Sequence, residues 1–170
     1  MTAAVLNTPT RGKAPPNFTT PFVNSVRNVF AKMVKIDVTV ALPHEKTAPE
    51  PSRDVSAIIV LTGEIVGSVV VSFDQDAAIK LVEAFSSATL APTNPDFADA
   101  IGELANMIVG GAKKDLGLSI GITVPNVIIG KGHYFAQIKN APCLVIPCTT
   151  HVGNFAVEIS IKQKPQGATP

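Results

Sequence analysis

The sequence contains no tryptophan, one tyrosine and two cysteines in 170 residues. Each scarcity excludes something. Without Trp and with almost no Tyr, a core must be assembled from Val, Ile, Leu, Phe and Ala, which suits a globular chain that is 46% hydrophobic. Two cysteines make no disulfide scaffold. Cys143 and Cys148 stand an odd number of residues apart, so a strand would point them to opposite faces; they read as free thiols rather than a shared metal site. Charge is sparse and balanced, with a formal net of +1 and no basic run, so the electrostatic footprint of a nucleic-acid binder is missing. No apolar run approaches the roughly 18 residues of a membrane span. The first 17 residues lack the apolar centre of a secretory signal, so the expected compartment is the cytoplasm.

Familiar catalytic hardware is absent too. His44, His133 and His151 are far apart, and none stands at metal-ligand spacing from Cys or a carboxylate. Gly130-Lys131-Gly132-His133 lacks the Gly-Lys-Ser/Thr ending of a phosphate-binding loop and reads as a hairpin turn. Gly110-Gly111 falls late in a helical pattern rather than after a strand, so it is no dinucleotide fingerprint, and no Gly-x-Ser-x-Gly elbow occurs. Self-contained catalysis by nucleophile, metal or cofactor finds no support, and no cofactor is expected to bind this chain.

What is present reads as one domain over residues 18–163, between flexible tails at 1–17 and 164–170. A helix is expected over residues 20–34, with Thr20 as cap, Pro21 as first residue, and Phe22, Val26, Val29, Phe30 and Met33 as its apolar stripe. Residues 36–42 alternate like a half-buried strand, and the proline-rich stretch 43–53 reads as a loop. Residues 56–61 and 65–73 flank Thr62-Gly63-Glu64 as a hairpin, and a helix capped by Asp74 follows. Further strands are expected near 123–129, 134–139, 143–149 and 154–162, the last with one face buried and the other wet. A helix followed by strands and a hairpin occurs twice, a weak internal echo.

The organising stretch is residues 96–116. Asn94, Pro95 and Asp96 are helix-start chemistry; Lys113, Lys114 and Gly117 are helix-stop chemistry. At about 100° per residue, Phe97, Ile101, Leu104, Ile108, Ala112 and Leu116 share one side, while Asp99, Glu103, Asn106 and Gly110 share the other. A solvated surface explains the two carboxylates. It explains less well a mediocre helix former, Asn106, and a mid-helix Gly110 that costs about 1 kcal/mol relative to Ala.

Asp99, Glu103 and Asn106 match the signature of the CheC/CheX family of chemotaxis phosphatases: Asp or Ser, three residues, Glu, two residues, Asn. Residues 21–30 resemble the family's first helix, and the hairpin around Gly63 and the helix after Asp74 follow in the family's order, so the likeness covers roughly residues 18–163. The resemblance implies an α+β fold: an antiparallel sheet with two long helices on one face, built from duplicated helix-plus-strands halves. It implies a phosphatase acting on the phosphoaspartate of a CheY-like response regulator. Glu103 and Asn106 would be catalytic, Asp99 and Gly110 would contribute to partner docking, and Mg²⁺ would come from the partner. It also implies a homodimer formed by pairing sheet edges; the final strand is long and regular, and which edge is used stays open. Ser25 and Asn28 occupy the Glu and Asn places in the first helix, but Ser25 has no charge to offer, so no second catalytic site is expected. The alternative is a non-catalytic docking module using the same face, and a third reading is a structural domain that matches by chance.

Overall fold

Two β-branched-rich hairpins make the sheet. In the computed structural model, which describes residues 17–164, β3 (Val55–Gly63) turns at Gly63, φ 108°, into β4 (Ile65–Phe73). Likewise β7 (Cys143–Thr150) turns at Gly153, φ 137°, into β8 (Gly153–Gln163). The hairpins join through β4 and β8, which pair antiparallel from Ile65↔Gln163 to Phe73↔Phe155. Four short strands finish the sheet: β1 (Thr39–Val40) and β2 (His44–Glu45) pair with β7, and β5 (Ile120–Ile122) and β6 (Asn126–Ile129) pair with β3. Each half thus lends its two short strands to the other half's hairpin.

The helical layer holds the three expected helices: α1 (Thr19–Val29), α2 (Gln75–Ser86), which follows Asp74, and α3 (Pro95–Leu116). One apolar core lies between that layer and the sheet, and Phe155 at its centre stacks on Phe30 at 4.8 Å and Phe73 at 5.4 Å. Five buried phenylalanines supply the bulk that tryptophan would otherwise bring.

Several expectations change. Thr20 lies inside the first helix and Phe18 takes the cap position, while Asn17, one residue earlier, accepts at Oδ1 from the Thr19 amide at 3.1 Å. Its last turn, Phe30–Val34, winds as a π-helix, and the wider turn brings Val34 into the core while Met33, assigned to the apolar stripe, is 45% exposed. Residues 36–42 reduce to a two-residue pairing, and the 43–53 loop contains β2, held on β7 by His44↔Val145. No ladder forms over 134–139. The outer edges of β3 and β7 are already taken by short strands, so this segment, with residues 44–53, crosses the sheet face away from the helices. That face is therefore covered rather than wet: Ser72, Ala156 and Ser160 are buried, and Lys46 and Glu158 pair there at 3.0 Å. Gly130 to His133 is a turn that leads into no strand. The final strand, β8, is interior, with β7 on one side and β4 on the other, so it offers no free edge. Apart from Asn17 and Lys164, the tails assigned to 1–17 and 164–170 lie outside the described residues.

Among the described residues no helix is long and apolar enough to cross a membrane. No group of three His, Cys, Asp or Glu among them is arranged to hold a metal ion.

Candidate active site on the third helix

Helix α3 starts and stops where its sequence dictates. Asn94 Oδ1 accepts from the Asp96 amide at 3.0 Å, Pro95 takes the first position, and Gly117 ends the helix at φ 63°. Phe97, Ile101, Leu104, Ile108 and Ala112 are fully buried, while Leu116, at the last turn, is only half-buried. On the opposite side Asp99, Glu103 and Asn106 are exposed and Gly110 is half-exposed. In the middle of the helix, between its charged ends, the exposed polar line is the one singled out from spacing.

Helix α1 lies beside α3, and their contact is polar at one point. Ser25, buried, donates its hydroxyl to the Ile108 carbonyl at 2.6 Å. Gly111 makes room for it: a Cβ there would stand 2.3 Å from Ser25 Oγ. The residue in the Glu place of the first helix is thus turned inward as a helix–helix tie, and Asn28 stays exposed.

Two clefts flank the polar line. One, of about 440 Å³, runs between Asp99, Glu103 and Asn106 and a wall formed by Val124, Pro125 and Val127. The other, of about 520 Å³, brings Met33, Phe85 and Leu90 against Asp96, Asp99 and Glu103. Glu103 stands on the ridge between them. A carboxylate there can pair with an incoming cation, and the amide of Asn106 can donate and accept at once, which is what holding a water in a fixed direction requires.

The wall residues were not singled out in the sequence, where Val124 and Pro125 sit inside an expected strand over 123–129. The strand breaks at 123–125, and the signal was Pro125, which cannot donate to a ladder. Elsewhere the assignments hold or sharpen. Cys148 faces the helical core and Cys143 the other side of the sheet, both free and buried. His44 and His151 are exposed. His133 donates from Nδ1 to the Gly130 carbonyl at 2.8 Å, which leaves Nε2 to accept from the Ser56 hydroxyl at 2.8 Å, a staple for the turn.

An antiparallel sheet backed by helices is the architecture of the CheC/CheX-like folds. The crystal structure of a chemotaxis protein CheX from Desulfovibrio desulfuricans superposes with a TM-score of 0.79 and 32% identity, covering 86% of this chain and 100% of that one. The CheY-P phosphatase CheX of Thermotoga maritima is 29% identical over 113 residues, 64% of this chain and 73% of that protein. The structure of a CheX-CheY-BeF3-Mg+2 complex from Borrelia burgdorferi shares the fold, with a TM-score of 0.72 at 21% identity over 86% of this chain and 99% of that one. The family description "Chemotaxis phosphatase CheX" matches residues 55–149, which include α3 and its motif. The chain belongs to the chemotaxis phosphatase CheX family.

Proposed function

We propose that this chain hydrolyses the phosphoaspartate of a CheY-like receiver domain in the cytoplasm, with α3 as the reactive element. The observation that carries the reading is the exposure of Glu103 and Asn106 together on one cleft wall, on a helix whose opposite face is buried in the core. An acyl phosphate breaks down when water attacks phosphorus in line with the leaving carboxylate. The receiver would supply Mg²⁺ and a Lys to hold the phosphoryl oxygens, so the element to be added is an oriented water. Asn106 would fix that water, and Glu103 would pair with the receiver's Lys and set the docking register. Asp99 would support the rim. Gly110 would let the partner's backbone come close, since a Cβ there meets nothing of this chain within 4 Å and no internal contact accounts for the glycine. The test measures the dephosphorylation rate of CheY-like receivers with and without the protein: acceleration supports the reading. Binding without acceleration returns the chain to a docking module.

A homodimer belongs to the same proposal, formed through the short-strand edges rather than β8. Those edges are the outer sides of β1 and β2 at one end and of β5 and β6 at the other.

A further inference from the structure

The cleft that holds Asn106 has an apolar opposite wall, and its outermost member is Val124, 83% exposed in the connection between β5 and β6. A single exposed aliphatic side chain needs no explanation, and Leu42, 88% exposed between β1 and β2, is such a case. Val124 differs in how it is held. Thr123 is pinned to β3 from both sides: its amide donates to the Val60 carbonyl at 3.1 Å, and its Oγ1 accepts from the Val60 amide at 3.1 Å. Pro125 follows, favouring an extended backbone at Val124, and packs beside α3 at Gly102, where a Cβ would lie 3.5 Å from Pro125 Cβ. A β-branched side chain on a fixed backbone has little freedom left to lose on contact.

Position separates it from the opposite flank. Val124 shares its cleft with Asp99, Glu103 and Asn106, whereas Met33 shares one with Asp99 and Glu103 but without Asn106. We infer that Val124 is the apolar anchor for the receiver: it seats in an apolar depression beside the partner's phosphoaspartate and fixes the side from which α3 approaches. The inference rests on the phosphatase reading and adds to it a specificity-determining residue outside the motif helix. A receiver fits this cleft better than a second copy does. A twofold contact sets a patch against itself, so Asp99 and Glu103 of two copies would meet as like charges, whereas a receiver brings a Lys.

The experiment is steady-state dephosphorylation of a CheY-like receiver, phosphorylated with a small phosphodonor and Mg²⁺, by the parent, Val124→Ser, Val124→Ile and Met33→Ser. Val124→Ser should raise KM for the receiver about tenfold, the loss of one interface anchor, with kcat within about twofold of the parent. Val124→Ile should keep the parental KM, and Met33→Ser should shift it by less than about threefold. Thermal melting of each variant checks the fold, which a side chain this exposed does not support. An unchanged KM for Val124→Ser overturns the anchor and leaves the phosphatase standing. So does a loss of dimer in sedimentation with receiver kinetics unchanged, which would assign the cleft to a second copy. If the parent accelerates no receiver, the phosphatase reading fails first and the anchor falls with it.

Discussion

At the scale of single residues, Asn106 and Glu103 should fail in different ways when cut back. In the proposed mechanism Asn106→Ala removes a group that would position water while giving little contact area. Such groups are worth about 2–4 kcal/mol at a transition state, so kcat should fall roughly 30- to 1,000-fold with receiver binding retained. Glu103→Ala removes the carboxylate proposed to pair with the partner's Lys, so KM should rise and kcat fall together. Single-turnover rates over a range of enzyme concentration separate the two. The cysteines give an independent check on the packing. Burial, with help from the Glu158 carboxylate and against the pull of Lys46, pushes the Cys143 thiol up to about 11. Burial pushes Cys148 up to about 12 against a small opposing effect of Arg53. Both are raised above the ordinary thiol value, so the stability they confer is complete below about pH 8.5 and is lost as pH rises through the folded values. Iodoacetamide at pH 8 should therefore label both slowly in the native protein and quickly in urea, and the urea midpoint should fall between pH 9 and 11. The motif residues were legible because helical spacing is local arithmetic. Val124 was not, because its meaning depends on a turn that brings residue 124 beside residue 106.

At the scale of elements, the glycines of α3 divide by what surrounds them. At Gly111 a Cβ would collide with the Ser25 hydroxyl, which is already committed to Ile108, so Gly111→Ala should destabilise by about 1–3 kcal/mol through overpacking. At Gly110 the space is open, so Gly110→Ala should stabilise the isolated protein by about 1 kcal/mol, the helix-propensity difference. The same change should weaken receiver binding. Urea denaturation checks the first pair of outcomes, and receiver titration the last. The ends of α3 could be read from sequence because capping uses neighbours in the chain. The expected strands at 36–42 and 134–139 misled for the opposite reason. Alternation of apolar residues shows that a segment has two faces, but not how much of an edge it will take: residues 39–40 share the outer edge of β7 with β2, and 134–139 find the edges of β3 and β7 already occupied. Ser25 misled in a smaller way: as a motif remnant it looked idle, and only the approach of α3 turns it into a tie.

At the scale of the molecule, the internal echo foretold two equivalent halves, and the sheet has them, as two long hairpins joined at β4 and β8. The exchange of short strands between the halves was not legible, because nothing in a two- to four-residue strand names its partner. That exchange moves the expected dimer contact. With β8 interior, two copies should pair through β1–β2 or β5–β6. Sedimentation should show a dimer at high micromolar concentration, and proline placed in the edge strand used should convert it to monomer. A monomer in the unmodified protein at that concentration would remove the dimer and leave the enzyme untouched.

The interior place of β8 also bears on how the protein is made. The ribosome delivers β3 and β4 some ninety residues before the strand that lies between β4 and β7. Until residue 163 has cleared the exit tunnel, the first hairpin carries an unpaired inner edge rich in valine and β7 has no neighbour on its inner side. The two hairpins therefore cannot join until β8 has emerged. The nascent chain must be kept from other strands throughout that interval, which is where chaperone dependence and aggregation during overexpression would arise.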